Sequence, residues 1–183
     1  MKLKECCESC GEPIDGATEV VVDVNMLEDF MTPSPSEILS AYISFLRAYH
    51  LWMHGAHNVS KGPSFAGDHV ELYGKIYNEV QAVIDGVIEK GVGVYQDEGI
   101  ACPMKITEDA MLMLSEWESP SEQSAERIAK LALEYTKQLV DIGEGTARVL
   151  EDMEVLTYGM DNMLAGLVDA HENYTYLLHQ RVK

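Results

Sequence analysis

Residues 57–69 join two predicted helices, and they read His57-Asn58-Val59-Ser60-Lys61-Gly62-Pro63-Ser64-Phe65-Ala66-Gly67-Asp68-His69. The Lys-Gly-Pro turn predicts that one helix ends and another begins, because glycine suits a helix C-terminal turn and proline cannot continue a helix. Farther along the second helix stand Asp85 and Glu89, at positions that share one helix face. Two imidazoles and two carboxylates form a ligand set that ferrous iron accepts. The segment therefore predicts a metal site as well as a pair of helices.

Periodic apolar residues on both sides of this turn predict long amphipathic helices. The first helix is predicted to begin after Ser34, with Pro35 at its first position and Glu37 completing a capping box. The second helix is predicted to be antiparallel to the first and to stop near Gly91-Val92-Gly93.

The second half of the chain repeats this pattern after a long connection. The connection is predicted to hold a short helix capped by Thr107. A third long helix of roughly 35 residues is predicted from Pro120 onward, and a fourth is predicted from Met160 to about Arg181. Four long helices with such a crossover predict an all-α, ferritin-like four-helix bundle over residues 34–183.

Composition limits the class of protein. The 183 residues include 31 acidic and 13 basic side chains, for a net charge of −18. This charge argues against binding of DNA through phosphate neutralisation and favours cations as partners. No apolar run is long enough to span a membrane and the first residues have no apolar signal-peptide core, so a cytoplasmic location is predicted.

Residues 1–33 are predicted to form an N-terminal, cysteine-containing extension that is separate from the bundle. Cys7-Glu8-Ser9-Cys10-Gly11 resembles one knuckle of a zinc ribbon, so Cys7 and Cys10 could bind zinc. Only half of a ribbon is present. We therefore favour the interpretation that the thiols of Cys7 and Cys10 are unbound. If zinc does bind, Cys6, Cys102 or a second copy of the chain would supply the missing ligands.

The motif also resembles a known family. Glu-x-x-His, which ferritin-like enzymes use for a site inside one bundle, does not occur in the sequence. The chain instead resembles the Dps mini-ferritins over residues 35–182. The first matching elements are a His (His57) and a Lys-Gly-Pro loop (Lys61-Gly62-Pro63) with Phe65 just after it. They are followed by a second His twelve residues after the first (His69) and an Asp-x-x-x-Glu pair (Asp85 and Glu89).

The resemblance implies an activity and an assembly. It implies a ferroxidase that oxidises Fe²⁺ with hydrogen peroxide or oxygen and stores ferric mineral, which protects against oxidative stress. The shell would be a homo-oligomer, a dodecamer built from two-fold dimers. His57 and His69 of one subunit would face Asp85 and Glu89 of its mate, in a di-iron or mononuclear site.

The chain departs from the family pattern after His69. Tyr77 and Asp85 each lie one residue later than the family spacing places them, which predicts a π-bulge or a shifted helix start that could rotate His69 away. Tyr73 stands where the family has an acidic ligand, and Asp68 or Glu71 could substitute for it. Asn58 replaces the aromatic residue that usually follows the first His.

Other readings of these residues remain open. His57 and His69 could be buried core histidines, and Asp85 and Glu89 could be a solvated helix flank. His54 could bind a second metal ion together with His50 or His57, its neighbours on the same helix face. The alternative function is a ferritin-like structural or metal-sequestering protein without efficient ferroxidase activity.

Overall fold

The computed structural model describes residues 32–183, and it contains five α-helices there. These are α1 (Pro35–Asn58), α2 (Lys75–Tyr95), α3 (Pro103–Glu116), α4 (Ala125–Asp152) and α5 (Tyr158–Arg181). A π-helix, Gly67–Gly74, runs directly into α2, and a short 3₁₀-helix, Glu98–Ala101, precedes α3. The predicted extension, including Cys7 and Cys10, lies outside the described residues except for its last two.

Helix α1 begins as the sequence predicts. The Ser34 hydroxyl accepts a hydrogen bond from the Glu37 backbone, and the Glu37 carboxylate accepts one from the Ser34 N–H at 2.8 Å. Pro35 occupies the first turn, where no backbone N–H is needed. The capping box therefore sets the start of the helix that carries His57 at its other end.

Helices α1, α2, α4 and α5 enclose one continuous apolar core, and α3 packs against α1. The centre of the core holds fully buried side chains from all four long helices, among them Leu46, Met53, Ile76, Val80, Leu139 and Leu178. Within the described residues, no helix is long and apolar enough to cross a membrane. The predicted all-α four-helix bundle with a short helix in its long connection is confirmed.

Helix α2 ends at Tyr95, two residues beyond the predicted Gly91-Val92-Gly93. Gly91 lies within the helix as a packing residue, since a Cβ there would collide with Leu39 of α1. Two other predicted helix boundaries are wrong. Helix α3 begins at Pro103, so Thr107 is not its cap; the Thr107 hydroxyl instead donates to the Pro103 carbonyl at 2.7 Å.

Helix α4 is shorter than predicted. It has 28 residues and begins after Ser124, whose hydroxyl accepts a hydrogen bond from the Arg127 N–H at 3.1 Å. Gly143 does not interrupt it. That glycine allows a close approach to α5, since an added Cβ would lie 3.0 Å from Val168.

Candidate functional site: a histidine pair beside a π-helix

His57 and His69 lie against each other at the surface between α1 and the π-helix. Their rings stack with centroids 3.7 Å apart and planes at 17°. The Nδ1 of His57 lies 2.7 Å from the carbonyl oxygen of His69, and the Nδ1 of His69 lies 2.9 Å from the carbonyl oxygen of His57. The two residues therefore make a reciprocal pair of hydrogen bonds, which we call the His pair.

These hydrogen bonds determine which nitrogen of each ring carries the proton. A carbonyl oxygen only accepts, so each Nδ1 must donate, and in the neutral ring the Nε2 then keeps its lone pair. Among the described residues neither Nε2 has a hydrogen-bond partner, and neither is among the fully buried unpartnered atoms. Metal-binding histidines commonly have this arrangement, in which a backbone carbonyl orients the ring and the other nitrogen faces the ion.

The His pair lines a surface cavity of about 400 Å³. The other lining residues come from the π-helix and the first turns of α2: Val70, Gly74, Lys75, Asn78 and Glu79. The Lys75 ammonium is paired with the Glu71 carboxylate at 2.5 Å, which offsets its positive charge near the cavity. The Glu79 carboxylate accepts a hydrogen bond from the Tyr174 hydroxyl at 2.6 Å.

The one-residue insertion after His69 is accommodated as the eight-residue π-helix, which is one of the two outcomes that the sequence predicts. In this arrangement His69 is stacked on His57. Its predicted rotation away from the metal stays a prediction. Backbone hydrogen bonds of a π-helix span five residues, so Gly74 lies close to His69. Gly74 lines the cavity, and Tyr73 does not. Tyr73 is buried instead, and burial raises the pKa of its hydroxyl.

Asp68 has a different role from the one proposed in the sequence analysis. Its side chain is almost fully buried and is bound by the Arg181 guanidinium, with Nε lying 2.8 Å from Oδ1 and Nη2 lying 3.0 Å from Oδ2. Glu71 is exposed and paired with Lys75, outside the cavity lining. In a single chain both predicted substitute ligands, Asp68 and Glu71, are thus bound to a basic side chain.

Asp85 and Glu89 are exposed on α2 and do not line the cavity of the His pair. Within residues 32–183, no three His, Cys, Asp or Glu side chains of one chain are placed to hold a metal ion together. A single chain thus separates the four predicted ligands into a histidine pair and a carboxylate pair. Their meeting across a two-fold interface stays a prediction.

The other two histidines of α1, His54 and His50, lie next to the His pair along the helix. His54 is exposed and lies against Tyr77, with ring centroids 4.6 Å apart, and its ring lies 6.3 Å from that of His57. His50 is half-buried, and burial lowers its pKa to about 4, assisted by the positive charges of Arg47 and His54. A second metal site at His54 remains untested.

Comparison with solved structures identifies the fold. A C-terminal deletion mutant of Mycobacterium smegmatis Dps matches with a TM-score of 0.66 at 17% identity, covering 81% of this chain and 97% of that chain. Staphylococcus aureus Dps matches with a TM-score of 0.65 at 17% identity, covering 81% and 95%.

Dps from Thermosynechococcus elongatus matches with a TM-score of 0.64 at 14% identity, covering 87% and 94%. No protein-family model matches the sequence, and no curated protein matches it either. The chain therefore has the ferritin-like fold of the Dps proteins.

Proposed function

We propose that this chain, which has the fold of the Dps proteins, is an iron-binding ferroxidase that stores iron in a homo-oligomeric shell. The observation that carries the proposal is the His pair, whose Nδ1 atoms are both bound to backbone carbonyls and whose Nε2 lone pairs are left for a ligand. Imidazole nitrogens with carboxylates suit ferrous iron. Fe²⁺ is the substrate, and hydrogen peroxide or oxygen is the oxidant.

The ring geometry favours two iron ions over one. A metal ion lies in the plane of the imidazole that binds it, about 2.1 Å from the nitrogen. Two rings stacked at 3.7 Å with nearly parallel planes cannot both direct a lone pair at one ion. We therefore favour the di-iron form of the site, in which each histidine binds a separate ion, over the mononuclear form.

The carboxylates of the proposed site come from a second copy of the chain. Asp85 and Glu89 are exposed and stand on the same face of α2, so they are free to meet the His pair of a neighbouring subunit. They would offset ferric charge and bridge the ions. A shell of twelve subunits built from such two-fold dimers completes the proposal, and the net charge of −18 would attract cations to it.

A specific observation favours the second candidate, a structural or metal-sequestering bundle without efficient ferroxidase activity. Gly74 occupies the position one π-turn beyond His69, and a Cβ there would lie 2.5 Å from the His69 carbonyl oxygen. No carboxylate can therefore stand at that position. The His pair would bind metal without the acidic ligand that the Dps family places beside its second histidine.

Rates of Fe²⁺ oxidation by peroxide separate the two candidates. For the ferroxidase, His57→Ala and Asp85→Ala should each slow the reaction at least tenfold, whereas Glu134→Ala, an exposed carboxylate on α4, should not. Wild-type protein that binds Fe²⁺ anaerobically but does not speed its oxidation would support sequestration. Light scattering during gel filtration measures the subunit count.

Three further points stay predictions: unbound thiols at Cys7 and Cys10, with bound zinc as the alternative, a cytoplasmic location and the absence of DNA binding. A gel shift at low salt without Mg²⁺ tests the last of these.

A further inference from the structure

The most deeply buried charge among the described residues lies next to the His pair. Asp68 is 2% exposed, and the Arg181 guanidinium binds both of its carboxylate oxygens. Arg181 is the last residue of α5, and its side chain is itself only 17% exposed. The pair thus joins the end of α5 to the beginning of the π-helix, 113 residues earlier in the chain.

The π-helix joins the bundle through apolar packing and two polar contacts. Its Leu72 and Tyr73 side chains are buried in the core, and the hydrogen bonds of the His pair link it to α1. Its other charged side chain, Glu71, is bound only to Lys75 at the surface. Among the described residues, the contact with Arg181 is therefore the ion pair that links this helix to the end of α5.

Fixing Asp68 also fixes His69, because the two are consecutive residues of one helix. Consecutive side chains of an α-helix differ in direction by about 100° around the helix axis, and the wider turn of a π-helix makes this angle smaller. In either helix the direction of one side chain determines the direction of the next. If the segment slipped by one residue into a regular α-helix, His69 would turn by about 100°. Both hydrogen bonds of the His pair depend on the present direction.

We propose that Arg181 and Asp68 are positioning residues for metal binding: their buried ion pair holds the π-helix in the register that keeps His69 stacked on His57 with its Nε2 facing the cavity. The inference rests on the proposed role of the His pair as a metal ligand. Removal of Arg181 would leave the Asp68 carboxylate buried and unpaired, so this segment would shift to bring the charge to water.

Co²⁺ binding to the full-length protein tests the proposal, because a Co²⁺–imidazole complex has a visible spectrum. Arg181→Met should weaken Co²⁺ binding by about 10- to 100-fold, the usual effect of losing an outer-sphere partner. Arg181→Lys, which keeps the charge, should recover most of that loss. Arg148→Met removes an exposed pair with Glu144 and should bind Co²⁺ as the wild type does.

A second measurement separates positioning from a loss of stability. In wild-type protein the two Nδ1–H protons are held in hydrogen bonds, so they should give downfield, slowly exchanging NMR signals without any metal. Arg181→Met and Asp68→Asn should lose the His69 signal. Leu164→Ala, a buried residue of α5 away from the cavity, should lower the melting temperature but keep both signals.

Each result decides a separate point. A folded Arg181→Met or Asp68→Asn protein with wild-type Co²⁺ affinity and both imidazole signals overturns the positioning role and leaves the proposed function intact. If Arg181→Met does not fold, Asp68→Asn and Arg181→Lys decide the same question. Wild-type Co²⁺ binding by His57→Ala would instead overturn the His pair as the metal site.

Discussion

At the scale of single residues, burial assigns different roles to histidines that look alike in the sequence. His171 is 2% exposed in the core, and its Nδ1 donates to the Leu167 carbonyl at 2.8 Å. Burial lowers its pKa, which favours the uncharged ring. His54 is exposed, and the half-buried His pair faces a cavity. Of His171, His54 and the His pair, only the His pair has both rings fixed by hydrogen bonds and nitrogen lone pairs that are accessible to a ligand.

His50 should make stability depend on pH. Its folded pKa of about 4 lies below the ordinary value of 6.5, mainly because of burial. As the pH falls below 6.5, the unfolded chain binds the proton first, so the stabilisation is complete above about pH 6.5 and is lost as the pH falls towards 4. Allowing for screening by solvent, we expect a loss of about 1 kcal/mol.

Urea unfolding at several pH values measures this effect. The free energy of unfolding of wild-type protein should decline more steeply than that of His50→Gln as the pH is lowered through this range. Equal pH dependence in the two proteins would show that His50 does not contribute.

At the scale of elements, the π-helix is the feature that builds the site. It runs directly into α2, and the Asn78 amide donates to the Gly74 carbonyl at 2.7 Å where the two helices join. Because of the longer repeat, the carbonyl of His69 approaches Gly74 closely. The element that exposes the His pair therefore requires glycine at this position.

Gly74→Ala should disturb both the fold and the metal site. The new Cβ would lie 2.5 Å from the His69 carbonyl oxygen and 3.4 Å from the His57 Nδ1. Overpacking of this kind should lower the free energy of unfolding by about 1–3 kcal/mol, measured by urea unfolding, and Co²⁺ affinity should fall with it.

Gly93→Ala is the matched control, because nothing lies within 4 Å of its Cβ. It should raise stability by about 0.5–1 kcal/mol. A fully stable Gly74→Ala protein would contradict the close approach.

At the scale of the whole molecule, one face of α3 carries apolar side chains that no other part of the described chain covers. Met104, Met111 and Leu112 of α3 are 77%, 64% and 64% exposed, although α3 packs its other side on α1. Large apolar side chains grouped on a surface are typical of protein–protein contacts. In the proposed shell, a second copy of the chain would cover this face of α3.

Met111→Glu should therefore weaken assembly without unfolding the subunit. A charge at a site that becomes buried in an apolar contact is costly, so the mass measured by light scattering should fall toward that of a dimer or monomer. The circular dichroism spectrum should not change. Ala165→Glu, at an exposed position of α5, adds the same charge and should keep the wild-type mass. Unchanged assembly of Met111→Glu would exclude this face from the interface.

The sequence by itself determined the local features. Ser34, Pro35 and Glu37 define the start of α1 because capping acts over three residues, and apolar periodicity predicted four long helices because each buries one face. The resemblance to the Dps family showed one extra residue after His69, for which a π-bulge was one of two predicted outcomes. The two histidines were identified as candidates from their motif alone.

The tertiary structure decided what depends on contacts between distant parts of the chain. Asp68 resembled a spare metal ligand until Arg181, 113 residues later, was found to bind it. Gly91 resembled a helix end, but it lies within α2, where its lack of a side chain allows close packing against Leu39. The tautomer of the His pair follows from two carbonyls that only the folded backbone brings into reach. Sequence patterns record periodicity along one helix, whereas hydrogen bonds and ion pairs between helices depend on the three-dimensional arrangement of the bundle.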